Sequence, residues 1–117
     1  MGASAAATIE RDMAATLEDF RRILPIAATN SFRATGVSRA AAVEFSESAG
    51  NGADEHIIVA TCQDRRVGFV LANRGERELG AMRLPATRVR ITFDGFSGDS
   101  ADRFLACFDA YFRRGGG

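Results

Sequence analysis

Phe104, Phe108 and Phe112, with Tyr111 beside the last, recur at i, i+4 and i+8, a spacing that lays one apolar stripe along a helix. Just upstream, Val89, Ile91 and Phe93 alternate with Arg88, Arg90 and Thr92, the period of a strand with one wet face. A strand feeding its own packing helix is therefore the expected folding unit over residues 88–114. A second helical stripe, Ile9, Met13, Leu17, Phe20 and Leu24, predicts a helix over 9–24. Its cap is Thr8, its first turn carries Glu10 and Asp12, its last carries Arg21 and Arg22, and Pro25 is its stop.

Between these helices the period changes to two. Val37, Ala41, Val43 and Phe45 face one way and Ser38, Ala40, Ala42, Glu44 and Ser46 the other, which predicts a half-buried edge strand over 37–47. Further strands are expected over 56–62, 66–72 and 77–84. The connections 63–65 and 73–76 are too short for anything but antiparallel hairpins. Pro85 reads as a turn or an irregular edge. The expected fold class is α+β: an N-terminal helix, a five-stranded antiparallel meander sheet and a C-terminal helix, in two layers. One domain spans 8–114, with a disordered tail over 1–7, a mobile hairpin tip over 48–54 and a flexible glycine tail over 115–117.

The inner strands carry apolar residues on both faces. Ile57 and Val59 stand against Ile58, Ala60 and Cys62; Phe69 and Leu71 against Val70 and Ala72; Leu79 and Ala81 against Met82 and Leu84. A strand apolar on both sides is normally covered on both sides. Three coverings fit: a helix on each face, a second copy of the chain pairing about a two-fold axis, or an apolar ligand. A homodimer is the leading expectation, with Ile58, Ala60, Val70, Ala72 and Met82 as the partner interface, and another protein partner is possible.

Composition narrows the chemistry. The 117 residues, 46% of them hydrophobic, suffice for one domain that needs no disulfide to hold it. Fifteen basic and fifteen acidic residues cancel, so no bulk charge draws the chain to nucleic acid or to a membrane surface. Every base is arginine, which excludes Schiff-base chemistry, a lysine nucleophile and the lysine-tipped phosphate loop. The same bias suggests a bacterial genome of high GC content. Cys62 and Cys107 each lie in an apolar run, as reduced thiols of a cytoplasmic protein do. Residues 1–8 show no basic leader, and no apolar run reaches the ~20 residues of a membrane helix.

His56 starts the strand that Cys62 ends, so six residues at ~3.3 Å separate them by roughly 20 Å and exclude a dyad within it. Metal-ligand spacings are missing, and no cofactor is implied. The run Asp94-Gly95-Phe96-Ser97-Gly98-Asp99-Ser100 joins a strand to a helix but matches neither phosphate-loop spacing nor the nucleophile elbow. It reads as a turn with Ser97 or Asp99 capping the helix. Charge is uneven along the chain: 44–64 holds five acids and no arginine, whereas 65–90 holds seven arginines against Glu76 and Glu78. Arg83, Arg88 and Arg90 could form an anion site, with Arg83 brought near by a neighbouring strand; the simpler reading pairs the acidic and basic blocks across hairpins. No aromatics interleave with these arginines as in nucleic-acid platforms. The sequence thus points to a non-enzymatic binding or assembly domain, with a small anionic-ligand binder or enzyme using an arginine-lined pocket as the alternative.

Overall fold

The computed structural model describes residues 7–50, 52 and 54–115, without side-chain detail for 7, 74–79, 82–85, 114 and 115. The element order is β1 (Ala7–Met13), α1 (Leu17–Ala34), β2 (Glu44–Ala49), β3 (Glu55–Cys62), β4 (Arg65–Leu79), β5 (Met82–Asp94) and α2 (Gly98–Gly115). The five strands form one antiparallel sheet in the order β1-β5-β4-β3-β2. β2 to β5 are a meander, and β1 joins its far side beside β5. The fold is two-layer α+β, as the hydrophobic pattern predicts.

The boundaries differ from expectation in instructive places. Residues 7–13 are a strand, and the helix starts only after Thr16, whose hydroxyl accepts from the Asp19 N–H while the Asp19 carboxylate accepts from the Thr16 N–H, each at 3.1 Å. This reciprocal cap satisfies two amides that the first helical turn leaves free. α1 then runs through Pro25 to Ala34 instead of stopping there. Its buried residues Phe20, Ile23, Leu24, Ala27, Ala28, Ser31 and Phe32 keep the i, i+3, i+4 rhythm on both sides of the proline, so packing outweighs the lost hydrogen bond. Pro25 itself is exposed.

Only the end of the expected 37–47 strand is one. Residues 37–43 are irregular, with a turn closed by the Ala41 N–H on the Ser38 carbonyl, and Val37, Ala41 and Val43 pack against the core as loop residues. The turn expected at 73–76 is a register shift inside one long hairpin, which reverses at Gly80 and Ala81 instead. Gly80 takes φ +63°, a conformation glycine adopts without steric cost. Pro85 lies within β5 opposite Glu76, at that irregularity, where a missing ladder donor is tolerated. Ala7 belongs to β1 and Gly115 to α2; the remainder of the expected tails lies outside the described residues, as do positions 51 and 53 of the hairpin tip.

The core lies between the sheet and the two helices. Ile58, Ala60, Cys62, Val67, Phe69, Leu71, Val89, Ile91 and Phe93 are buried, every second residue over 58–62, 67–71 and 89–93. Phenylalanine rings tie the layers: Phe104 meets Phe32, Phe93 and Phe96 edge to face, Phe108 stacks on Phe69, and Phe112 meets Phe20. Both helices therefore cover one face of the sheet.

Candidate functional site

The other face has no element of the described chain over it. Strand register lays it out in rows. One row runs Thr8, Thr92, Gly68, Val59, Ser46; the next runs Glu10, Arg90, Val70, Ile57, Ser48; a third runs Asp12, Arg88, Ala72, Glu55. Ile57, Val59, Val70 and Ala72 make a half-buried apolar centre on β3 and β4. At Gly68, beside them, an added Cβ would meet nothing within 4 Å. The centre is thus level with open space and not packed under a loop.

Charge surrounds that centre. Arg88 Nε lies 3.3 Å from the Asp12 carboxylate and Arg90 Nε 3.6 Å from Glu10, both across the β1–β5 ladder. The helical spacing of Ile9, Met13 and Leu17 hides these partners, because it predicts a helix over 9–13 where the structure has a strand. The alternation of Thr8, Glu10 and Asp12 with Ile9, Arg11 and Met13 is the signal that would have found them. Arg83 lies on β5 itself, not on a neighbouring strand, in register with Glu78. Five residues at ~3.3 Å put its backbone roughly 16 Å from that of Arg88. Arg83's side chain lies outside the described ones.

The five expected interface residues divide between the two faces. Ile58 and Ala60 belong to the interlayer core, at 6% and 0% exposure, whereas Val70 and Ala72 lie on the open face. Alternation explains the division: Ile58 pairs with Phe69, while Val70 pairs with Ile57. Met82 sits at the hairpin end opposite Leu79, with its side chain outside the described ones.

Other candidate chemistry is accounted for by structure. Ser97 and Ser100 cap α2 reciprocally, each hydroxyl accepting from the other's N–H at 3.2 and 2.9 Å. Gly95, at φ +83°, brings the turn against the Asp64 carbonyl. His56 is half-buried, 3.9 Å from Glu47. Burial pushes the Cys62 thiol pKa up, against a smaller opposing pull from Arg65, so this thiol is a poor nucleophile. Among the described residues, no group of three His, Cys, Asp or Glu side chains is placed to hold a metal ion, and no helix is long and apolar enough to cross a membrane.

No protein-family model matches this chain, and no curated protein matches it. Among solved structures it is similar to an uncharacterised protein from Rhizobium leguminosarum. That chain is 16% identical over 94% of this chain and 95% of its own, with a TM-score of 0.37.

Proposed function

We propose that this chain is a non-enzymatic binding or assembly domain of the bacterial cytoplasm that forms a homodimer by packing its open sheet face on that of a second copy. The observation carrying the reading is the apolar centre of Ile57, Val59, Val70 and Ala72 on a face that neither helix covers. Two antiparallel sheets pack face to face about 10 Å apart, their inner side chains interdigitating. Five strands at ~4.8 Å spacing and about seven residues at ~3.3 Å give a face of roughly 550 Å² per copy, and doubling it reaches the ~1,000 Å² that a specific interface needs. A two-fold axis running along β4 sets the arginines of one β5 over the acid-rich β2–β3 side of the other copy. The placement at a cytoplasmic address rests on two free thiols, one buried and one half-buried.

The alternative, a small anionic-ligand binder, has less support, because each of Arg88 and Arg90 already faces a β1 carboxylate. Sedimentation velocity over a hundredfold concentration range tests the dimer. The wild type should move as a dimer and Val70→Asp as a folded monomer, while Ile26→Asp, an exposed site on the helix layer, should change nothing. A wild type that stays monomeric throughout, or a Val70→Asp variant that remains a dimer, rules the reading out.

A further inference from the structure

The free side of β2 and the groove between it and α1 lie apart from the open face, at the margin of the core. β2 is the last strand in the sheet order, so one of its sides has no neighbouring strand among the described residues, and all six of its residues are exposed. One hydrogen bond fixes which of its amides face outward. The Gly50 N–H donates to the Glu55 carbonyl at 2.9 Å, and backbone direction alternates along an antiparallel ladder. Ser48, Ser46 and Glu44 therefore bond inward to β3, while Phe45, Glu47 and Ala49 hold their N–H and C=O groups toward the empty side.

The side chains of those same positions lie on the helix side of the sheet, Phe45 beside Ala60 and Glu47 beside Ile58. Edge and groove are thus continuous. The groove holds about 330 Å³ over Leu24, Pro25, Phe45 and Ile58, with Arg21 and Glu47 at its rim, joined at 2.7 Å. Phe45 is 38% exposed there, one of two large apolar side chains so open among those described. Pro25 contributes a further feature: it has no N–H to give the Arg21 carbonyl, one turn back in a groove both residues line.

Charge selects the occupant. Residues 44–64, which include all of β2 and β3, hold five acids and no arginine or lysine. Glu47 is held by Arg21, whereas Glu44 faces Thr61 across the ladder and makes no ion pair among the described residues. A second copy at this edge would bring two β2 strands together, each carrying Glu44 and Glu47 and neither carrying an arginine or lysine, so it offers Glu44 no opposite charge from its own strand.

We infer that this edge receives an extended basic segment of a partner protein by strand addition. The segment hydrogen-bonds to Phe45, Glu47 and Ala49, seats an apolar side chain in the groove against Phe45 and Leu24, and turns an arginine or lysine toward Glu44. In this mode main-chain bonds supply affinity, and the groove and Glu44 supply specificity. The groove and the main-chain edge lie apart from the open sheet face, with only Glu44, on the side of Ser46 and Ser48, at that face's margin, so edge binding and face pairing can each fail without the other.

The test is fluorescence anisotropy of the full chain with a labelled octapeptide alternating valine with threonine and arginine. Its twin carries glutamate for arginine. The basic peptide should bind saturably and at least about tenfold more tightly than the twin, a difference of about 1.4 kcal/mol. Glu44→Arg should reverse the order, and Phe45→Ser should weaken binding by a similar factor. Ala49→Pro removes one outward N–H and no β2–β3 bond, and it should weaken binding with an unchanged circular dichroism spectrum. Should that variant unfold, N-methylation of the peptide's edge-facing amides makes the same test from the other partner. Absence of saturable binding by either twin, equal affinity of the two, or indifference to N-methylation overturns the inference. So does a wild-type dimer that Ala49→Pro dissolves, since a second copy would then hold the edge.

Discussion

Truncating Phe104 to alanine asks whether the phenylalanine cluster, more than caps or ion pairs, holds the two layers together. Phe104 is 0% exposed, and its ring centroid lies 5.2 Å from Phe32, 5.5 Å from Phe93, 5.8 Å from Phe96 and 6.2 Å from Phe108. Removing a buried ring forfeits its transfer free energy and leaves a cavity, together about 3–5 kcal/mol. Three edge-to-face neighbours, each worth roughly 0.5–1.5 kcal/mol beyond burial but not additive, place this site at the upper end. The exposed Asp99–Arg103 pair on the same helix, at 3.9 Å, is worth only about 0.2–0.5 kcal/mol. Urea unfolding followed by circular dichroism reads the loss: with a slope of about 1–3 kcal/mol/M, the midpoint should fall by roughly 1–5 M. Phe104→Leu, which keeps most of the volume, should cost under about 1.5 kcal/mol and shows that the position tolerates change. Phe45→Ala, at an exposed phenylalanine, should stay within about 0.5 kcal/mol of wild type. If Phe104→Ala and Phe45→Ala shift the midpoint equally, the cluster is not what joins sheet to helices.

Substitutions at two further places, the α1 cap and the two left-handed glycines, examine local structure. Thr16→Ala should cost about 1 kcal/mol in urea unfolding through the lost cap. The Asp19 carboxyl is held below its usual pKa, first by the Thr16 N–H and then by Arg22. Its folded value lies below its unfolded one, so its contribution is complete above about pH 4–5 and fades as pH falls through the lowered value. The stability gap between wild type and Asp19→Asn should accordingly be widest near neutrality and shrink in acid; a constant gap refutes the assignment. Gly95→Ala at φ +83° would set a Cβ 2.5 Å from the Asp64 carbonyl oxygen, whereas Gly80→Ala at φ +63° meets nothing within 4 Å. Both incur the left-handed cost of about 1–2 kcal/mol, but only Gly95→Ala must also displace backbone. Equal melting temperatures for the two variants would count against that close approach.

What could be read from the sequence was what packing writes at short range. The spacing of Phe104, Phe108 and Phe112 and the alternation of Val89, Ile91 and Phe93 reappear as α2 and β5 because each pattern is the contact surface itself. β1 was hidden because Ile9, Met13 and Leu17 fit a helix as well as Ile9, Arg11 and Met13 fit a strand. The deciding partner, β5, lies about eighty positions away in the register Ala7 to Phe93, beyond any local window. Asn73, Gly75 and Glu76 carry turn chemistry, yet a register irregularity in a long strand uses the same residues. Of the candidate site, the two-sided apolar strands were legible, but which side stayed open depended on both helices choosing the same layer. Arg88 and Arg90 were legible as a pair on one face, and their carboxylate partners were not.

The β1–β5 ladder also orders events in time. As the chain leaves a ribosome, β1 waits about eighty residues for its mate β5, while each later hairpin can zip with its immediate predecessor. The meander is therefore born with a raw border at β5, and β1, made before it, serves as the selvedge sewn on last.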